Sequence, residues 1–248
     1  MNLLEIKDLS RSFVTGKNKL LVLQRMNMSV KKGELLSVLG PSGCGKSTLL
    51  RLIAGFLKPD SGSISLKGKP LSGPDADRIM VFQDFNQLFP WKTVLQNVVF
   101  PLKLKKVGSS RKEREEIARR YLARVQLDEF LHFYPHQLSG GMKQRAALAR
   151  ALATSPEIML MDEPFASLDG QTRSTLQEML LKIWQESEST IIFVTHDIRE
   201  ALLLSDRIVV MGSSPGRVKK VMENKLTRPR DQLSRDFTEM YKEIYGLL

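Results

Sequence analysis

Cysteine occurs once in 248 residues, as Cys44. That excludes an intrachain disulfide and any zinc site built on several thiolates, and it suits a reducing compartment. Long apolar runs are missing as well. No uninterrupted stretch of aliphatic and aromatic residues exceeds four, whereas a membrane-spanning helix needs about 20 predominantly apolar residues. The N-terminal MNLLEIKDLS carries acids at positions 5 and 8 and no apolar h-region, so no signal peptide is expected. Internal repeats and low-complexity tracts are absent too. The expectation is a soluble, cytoplasmic, non-secreted protein, long enough for one large α/β domain or two small ones.

Charge of one sign is in excess. Thirty-eight Lys and Arg against twenty-seven Asp and Glu give a net charge of +11. The excess is uneven: the segment from Leu102 to Arg124 holds nine basic residues against three Glu, and that from Gly212 to Leu248 holds eight against five. Such patches meet nucleic acid, anionic lipid or a nucleotide, or simply form solvated helix faces.

In the first 35 residues, alternating apolar positions (Leu4, Ile6, Leu21, Leu23) with Gly16 and Gly33 predict short antiparallel strands. Leu35 to Leu39 reads as a strand entering a Gly-rich loop, Lys46 to Leu57 as a helix, and Ile64 to Leu66 and Ile79 to Phe82 as strands. Beyond Gln83, the punctuation by Pro90, Pro101 and Gly108 gives way to helical periodicity. Ser110-Arg111-Lys112-Glu113 matches the S-x-x-E capping box, with Ile117, Ala118, Tyr121, Leu122 and Val125 forming one apolar stripe behind it. A helix is expected from Gly140 to about Ala153 and another from Gln171 to Glu186; Ile158 to Met161, Thr190 to Val194 and Ile208 to Met211 read as strands. Strands alternating with helices argue for a mainly parallel sheet in an α/β core. The expected division is a core of residues 1–86 and 157–248, with a helical segment, 87–156, inserted into it.

Gly40-Pro41-Ser42-Gly43-Cys44-Gly45-Lys46-Ser47 satisfies G-x-x-x-x-G-K-[ST] between a strand and a helix. Glycines let backbone N–H groups converge on a phosphate chain, and the helix N-terminus adds a favourable dipole. Lys46 can reach the β- and γ-phosphates and the Ser47 hydroxyl can ligate Mg2+; Thr48 completes the candidate nucleotide-binding set, in which Cys44 fills space. The second element this chemistry needs is a carboxylate at a strand end. Asp162 and Glu163 emerge from the apolar Ile158-Met159-Leu160-Met161. Asp162 would hold Mg2+ through water, and Glu163 would orient or deprotonate the attacking water. Two other matches fail. Gly212-Ser213-Ser214-Pro215-Gly216 fits G-x-S-x-G, yet the last histidine, His196, precedes Ser214, so no nucleophile triad can close. His132 and His136 are four apart, but Pro135 interrupts any helix between them.

Leu138-Ser139-Gly140-Gly141-Met142-Lys143-Gln144-Arg145 resembles the LSGGQ-type signature of ATP-binding cassette (ABC) ATPases, with Met142 in the usual Gln position. The order of motifs resembles the family over nearly the whole chain: P-loop, Gln83, signature, Asp162-Glu163, Ser167-Leu168-Asp169, His196. The resemblance implies a P-loop NTPase core with an N-terminal antiparallel β subdomain and an inserted helical subdomain. It implies that Ser139, Gly140 and Gly141 close over the γ-phosphate of ATP held by a second copy of the subunit, so that two chains face head to tail. It further implies an adenine-stacking role for Phe13, contact of Gln83 with Mg2+ and water, contact of His196 with the γ-phosphate, and a place at the dimer seam for Ser167 and Asp169.

Stretches such as HQLSGGMKQRAALARAL and MDEPFASLD are similar to ATPase subunits of nitrate, sulfonate and taurine-type importers. ATP and Mg2+ are the implied cofactors. The implied partners are transmembrane permease subunits and, indirectly, an extracytoplasmic solute-binding protein, and the place is the cytoplasmic face of the membrane. Leu88 to Val94 would receive a permease helix, although Phe89 and Trp91 also suit the core of the helical subdomain. The basic 102–124 segment then suits an anionic-lipid-facing flank, and no nucleic acid is expected. The alternative is a soluble, non-transport ABC ATPase acting on nucleic acid or ribosomes.

Overall fold

The computed structural model describes residues 2–16, 18–187 and 189–248, which form two compact units, Met1–Asp75 with Thr190–Leu248 and Ala76–Ser189. The first unit opens with β1 (Asn2–Thr15), β2 (Asn18–Lys31), β3 (Leu35–Leu39), α1 (Lys46–Ile53), β4 (Ser61–Leu66) and the two-residue β5 (Lys69–Pro70). The second unit consists of β6 (Arg78–Val81), α2 (Val94–Leu104), α3 (Arg111–Arg124), α4 (Gly140–Leu152), β7 (Ile158–Asp162) and α5 (Gly170–Ser187). The chain then returns to the first unit through β8 (Thr190–Thr195), α6 (Ile198–Leu204), β9 (Arg207–Met211), β10 (Val218–Glu223) and α7 (Arg235–Tyr245).

The first unit holds an antiparallel sheet of order β2-β1-β4-β5. Its first two strands run 14 residues each, where the alternation predicted short ones. Register shifts reconcile the two. Leu4 and Ile6 are buried, and a shift between Ile6 and Leu9 returns Leu9 to the core. Asp8 takes φ +49° there, and Asn27 Oδ1 accepts its N–H at 3.0 Å. A bulge with a local polar partner thus re-phases a strand whose period-2 pattern would otherwise have ended.

In the same unit β3 lies between β8 and β9, parallel to both, with Leu39 opposite Thr195 and Val210. All residues of β3 and β8, and four of the five in β9, are buried, which is why these strands read as unbroken apolar runs rather than alternations. Ser37, the polar residue inside β3, is paired with the Ser205 hydroxyl at 3.0 Å. The amphipathic α7 closes this side by packing Phe237 and Ile244 against Ile198, Leu202 and Ile208. Helix α1 ends at Ile53, four residues short of the expected Leu57, because Gly55 adopts φ +82° and the Phe56 N–H turns back to the Arg51 carbonyl at 2.9 Å. This left-handed glycine just past the last turn is a common helix stop.

In the second unit β6 and β7 pair in parallel, Val81 opposite Met161. The expected capping box at Ser110 forms by half. Ser110 Oγ accepts the Glu113 N–H at 3.1 Å, but the Glu113 carboxylate turns to the Ser109 N–H at 2.7 Å and the Ser109 hydroxyl at 2.6 Å. Two donors on one residue outcompete the single N–H of the cap. A complete box stands instead at α2, where Thr93 Oγ1 accepts the Gln96 N–H and Gln96 Oε1 accepts the Thr93 N–H. The apolar stripe of α3 turns inward as its spacing predicts, with Ala118, Leu122 and Val125 buried.

Candidate nucleotide site

The glycine loop leaves the buried end of β3 and enters α1 at Gly45. Gly45 takes φ +98°, and a Cβ there would stand 2.7 Å from Leu23 Cδ2. Both the conformation and the contact require glycine. A Cβ on Gly40 would meet Cys44 Sγ at 2.9 Å and the Met211 carbonyl at 3.0 Å, so the loop is packed against β9 at its start. Cys44 is buried within it, as a space-filler would be. Ser42 and Gly43 are exposed, and Ser47 and Thr48 are half-buried.

Lys46 is only 5% exposed, and its Nζ donates to the carbonyls of Gly40 at 2.8 Å and Pro41 at 3.1 Å. A buried ammonium is thereby held within the loop's own curve. No side chain caps the start of α1, and its first turn carries no acid. A helix start with neither a capping side chain nor an acid in its first turn suits an anion.

Parallel pairing brings further residues to the same edge. Leu39 lies opposite Thr195, so Gly40 and His196 leave neighbouring strands side by side. His196 is exposed. Its two chain neighbours are tied down by a group that sequence reasoning missed: Glu200, buried, accepts the Thr195 hydroxyl at 2.6 Å, and Thr195 Oγ1 in turn accepts the Asp197 N–H at 3.0 Å. Nothing in the local pattern marks a glutamate on a helix as buried, since only the packing of α6 decides it. Phe13 on β1 is half-buried, with the Arg11 guanidinium 5.0 Å from its ring centre.

The second unit repeats the strand-edge arrangement. Val81 lies opposite Met161, so the segment carrying Gln83 and the Asp162-Glu163 pair leave adjacent parallel strands at one edge. Asp162 is buried at the end of β7, Glu163 is half-buried, and Gln83 is exposed. Glu163 takes φ +43°, a left-handed conformation that costs a non-glycine residue about 1–2 kcal/mol and is typical of functional turns. Pro164 cannot extend the strand, and the Ala166 N–H returns to the Glu163 carbonyl at 3.2 Å.

In the signature segment, Ser139 is the N-cap of α4, accepting the Met142 N–H at 3.3 Å. Gly140 and Gly141 occupy the first turn, where N–H groups have no intrahelical acceptor. A Cβ on Gly141 would stand 2.6 Å from Thr172 Cγ2, so α4 starts in close contact with α5. Ser167 and Asp169 are both exposed just before α5. Asp169 accepts the Thr172 N–H at 3.0 Å, and that bond, followed by the Thr172 side chain, holds its carboxyl below the ordinary range.

The loop between β6 and α2 is held by buried Asn97 on α2, which accepts the Phe89 N–H at 2.8 Å and donates to the carbonyls of Phe89, Lys92 and Thr93. The loop is thus rigid while Trp91 stays 70% exposed. Of the two settings open to this aromatic pair, Phe89 is half-buried against Phe100 at 5.0 Å, and Trp91 is not part of a core. Ser214 sits in the turn joining β9 to β10, closed by the Gly212 N–H on the Arg217 carbonyl, not at a strand-to-helix elbow.

A phosphate-shaped loop between a buried parallel strand and an uncapped helix start, in an α/β fold with strand-end carboxylates, defines a P-loop nucleotide-binding ATPase. A family model described as ABC transporter matches residues 23–166. An uncharacterized ABC transporter ATP-binding protein of Methanocaldococcus jannaschii is 51% identical over 99% of this chain and 91% of its own length. The nitrate import ATP-binding protein NrtD of Synechocystis is 50% identical over 88% of this chain and 80% of its own. The aliphatic sulfonates import ATP-binding protein SsuB of Bacillus cereus is 44% identical over 96% and 93%. Among solved structures, a dimeric bacterial ABC transporter cassette matches with a TM-score of 0.80 and 35% identity, covering 90% of this chain and all of that one. A dimeric post-hydrolysis state of an ATP-binding cassette bound to ADP and Pi matches with a TM-score of 0.78 and 33% identity. The chain belongs to the ABC transporter family, as an ATPase subunit.

Proposed function

We propose that this chain hydrolyses ATP to drive import of a small oxyanion-bearing solute, of the nitrate, sulfonate or taurine kind, through a separate permease. The observation that carries this reading is the identity of 50% and 44% to nitrate and sulfonate import ATP-binding proteins over most of the chain. A non-transport ATPase acting on nucleic acid or ribosomes is not favoured by these relatives. The channel would belong to other subunits, with this one peripheral at the cytoplasmic face; among the described residues no helix is long and apolar enough to cross a membrane. A solute-binding protein would deliver the cargo outside. The helical subdomain, residues 87–156, would meet the permease through exposed Trp91.

The loop residues fit a triphosphate: close contacts behind Gly40 and Gly45 fix the curve, a Cβ on Gly43 would meet nothing within 4 Å, and Lys46 Nζ is already inside the curve. ATP would lie with its adenine on Phe13 and its phosphates along Gly40 to Thr48. A hydroxyl, an amide and a carboxylate, from Ser47, Gln83 and Asp162, are hard oxygen donors of the kind that bind Mg2+ together with phosphates and water. The ion would neutralise charge on the β- and γ-phosphates. Glu163 would take a proton from water as its oxygen bonds the γ-phosphorus and the bond to the bridging oxygen breaks, releasing ADP and phosphate. His196 would hold the γ-phosphate and keep that water in register. Ser139, Gly140 and Gly141 would serve the nucleotide of the second copy, making the site complete only in a pair.

Glu163→Gln tests the centre of this reading. It should retain ATP binding, lower turnover at least about 100-fold and give an ATP-dependent dimer on size exclusion. Near-normal hydrolysis would remove Glu163 from the role of base. Reconstitution with permease subunits of a nitrate or sulfonate importer, screened for ATPase stimulation by nitrate, sulfonates and taurine, tests the cargo.

A further inference from the structure

Gln87 has no part in the motifs above, yet its side chain and backbone join two of them. Its carboxamide closes on the backbone of Phe82, the residue immediately before Gln83. Gln87 Oε1 accepts the Phe82 N–H at 3.2 Å, and Gln87 Nε2 donates to the Phe82 carbonyl at 3.1 Å. The same Nε2 donates to Gln144 Oε1 at 3.3 Å. Gln144 lies on α4, one turn beyond Gly140, and is 2% exposed. Farther along α4, Arg150 donates to the Gln87 carbonyl at 2.7 Å and covers the Phe89 ring at 5.9 Å. Burial pushes the Arg150 guanidinium down from its ordinary value. One residue therefore grips the strand end that carries Gln83 and is held at two points by the helix that begins with Ser139.

Gln144 Nε2 is buried and lacks a hydrogen-bond partner among the described residues. A buried amide donor without an acceptor is unfavourable. Gln87 cannot turn over to meet it without losing both bonds to Phe82, so the pair is held in one sense, with Gln87 Nε2 as donor and Gln144 Oε1 as acceptor. A buried, hydrogen-bonded link between two functional segments is the kind of contact that carries coupling between sites.

We propose that Gln87 is a positioning residue that couples Gln83, acting on the nucleotide of its own chain, to Ser139, Gly140 and Gly141, acting on the nucleotide of the second copy. It thereby makes ATP hydrolysis by the pair cooperative. This rests on the two-chain reading above.

The test measures ATPase rate against ATP concentration for the full chain, Gln87→Leu, Gln144→Met and the double variant. Binding of a fluorescent ATP analogue is measured alongside. The parent should give a Hill coefficient approaching two, the number of sites in a pair, and each single variant one near unity. Gln87→Leu also frees Phe82, so kcat should fall about tenfold, whereas Gln144→Met keeps that grip and should lose less than about threefold. The double variant should be no worse than Gln87→Leu, and analogue binding should stay within about twofold throughout, since the glycine loop is untouched.

A Hill coefficient unchanged in Gln144→Met, or losses in kcat that multiply in the double variant, would overturn the coupling while leaving the two-chain reading intact. A parent that shows no cooperativity would also overturn the coupling, whereas the two-chain reading falls only if Glu163→Gln stays monomeric with ATP on size exclusion. Gln144→Met keeps the proposal testable if Gln87→Leu fails to fold.

Discussion

Single residues in the glycine loop are constrained from two sides. Gly45 needs a left-handed φ and also abuts Leu23 and Val22. Gly45→Ala should therefore destabilise the fold by about 2 kcal/mol, read as a lowered urea midpoint without nucleotide. An unchanged midpoint would mean that the loop relaxes freely. Glu163 shows the opposite economy: a residue with a Cβ is kept in a left-handed conformation that glycine would adopt more readily. That retention is understandable if the carboxylate itself is needed at that turn. Motif spacing marked the position of Glu163 but not its conformation, because φ at a strand end depends on where the next helix is held.

At the scale of elements, helix ends decide where the functional loops stop. The complete box at Thr93 starts α2 immediately after Trp91 and Lys92, and Asn97 on that helix pins the loop by four hydrogen bonds. Thr93→Ala should cost about 1 kcal/mol in chemical unfolding, with Gln96 left unable to restore the lost acceptor. A loss as small as that of an exposed surface substitution would contradict the cap. Arg230 serves the C-terminal end of α6, donating to the carbonyls of Leu202, Leu203 and Ser205. Burial, then the neighbouring charge of Arg228, pushes it down to about 10, still cationic at neutral pH and so suited to the negative end of a helix. These contacts hold the far end of α6, whose N-cap, Asp197, follows His196 directly.

For the molecule as a whole, the decisive expectation is that one chain is not enough. Ser139 already uses its oxygen to cap α4, yet its hydroxyl hydrogen and the first-turn N–H groups behind it remain donors for an anion. Ser139→Arg places a long cation over this helix start. It should leave nucleotide binding by the glycine loop intact, abolish ATP-dependent dimerisation in size exclusion and reduce turnover by about 100-fold. A variant that still hydrolyses ATP at the parent rate would show that the signature segment serves no second nucleotide.

Much of this was legible in the chain alone. The glycine loop, the signature segment and Asp162-Glu163 are contiguous strings whose chemistry depends on local spacing, so sequence by itself determined which residues are the candidates for the phosphate chemistry and in which order. Buried parallel strands announced themselves for the same reason, as unbroken apolar runs. What only the tertiary structure decided lies across long separations or in competition between neighbours. The bulge at Asp8 needed Asn27 to satisfy it. Glu113 chose Ser109 over Ser110. Gln87, anonymous in the sequence, met Gln144 fifty-seven residues later. Hydrogen bonds of this kind leave no periodic trace, because a single polar residue can be paired by any part of the chain that the packing of apolar faces happens to bring within reach.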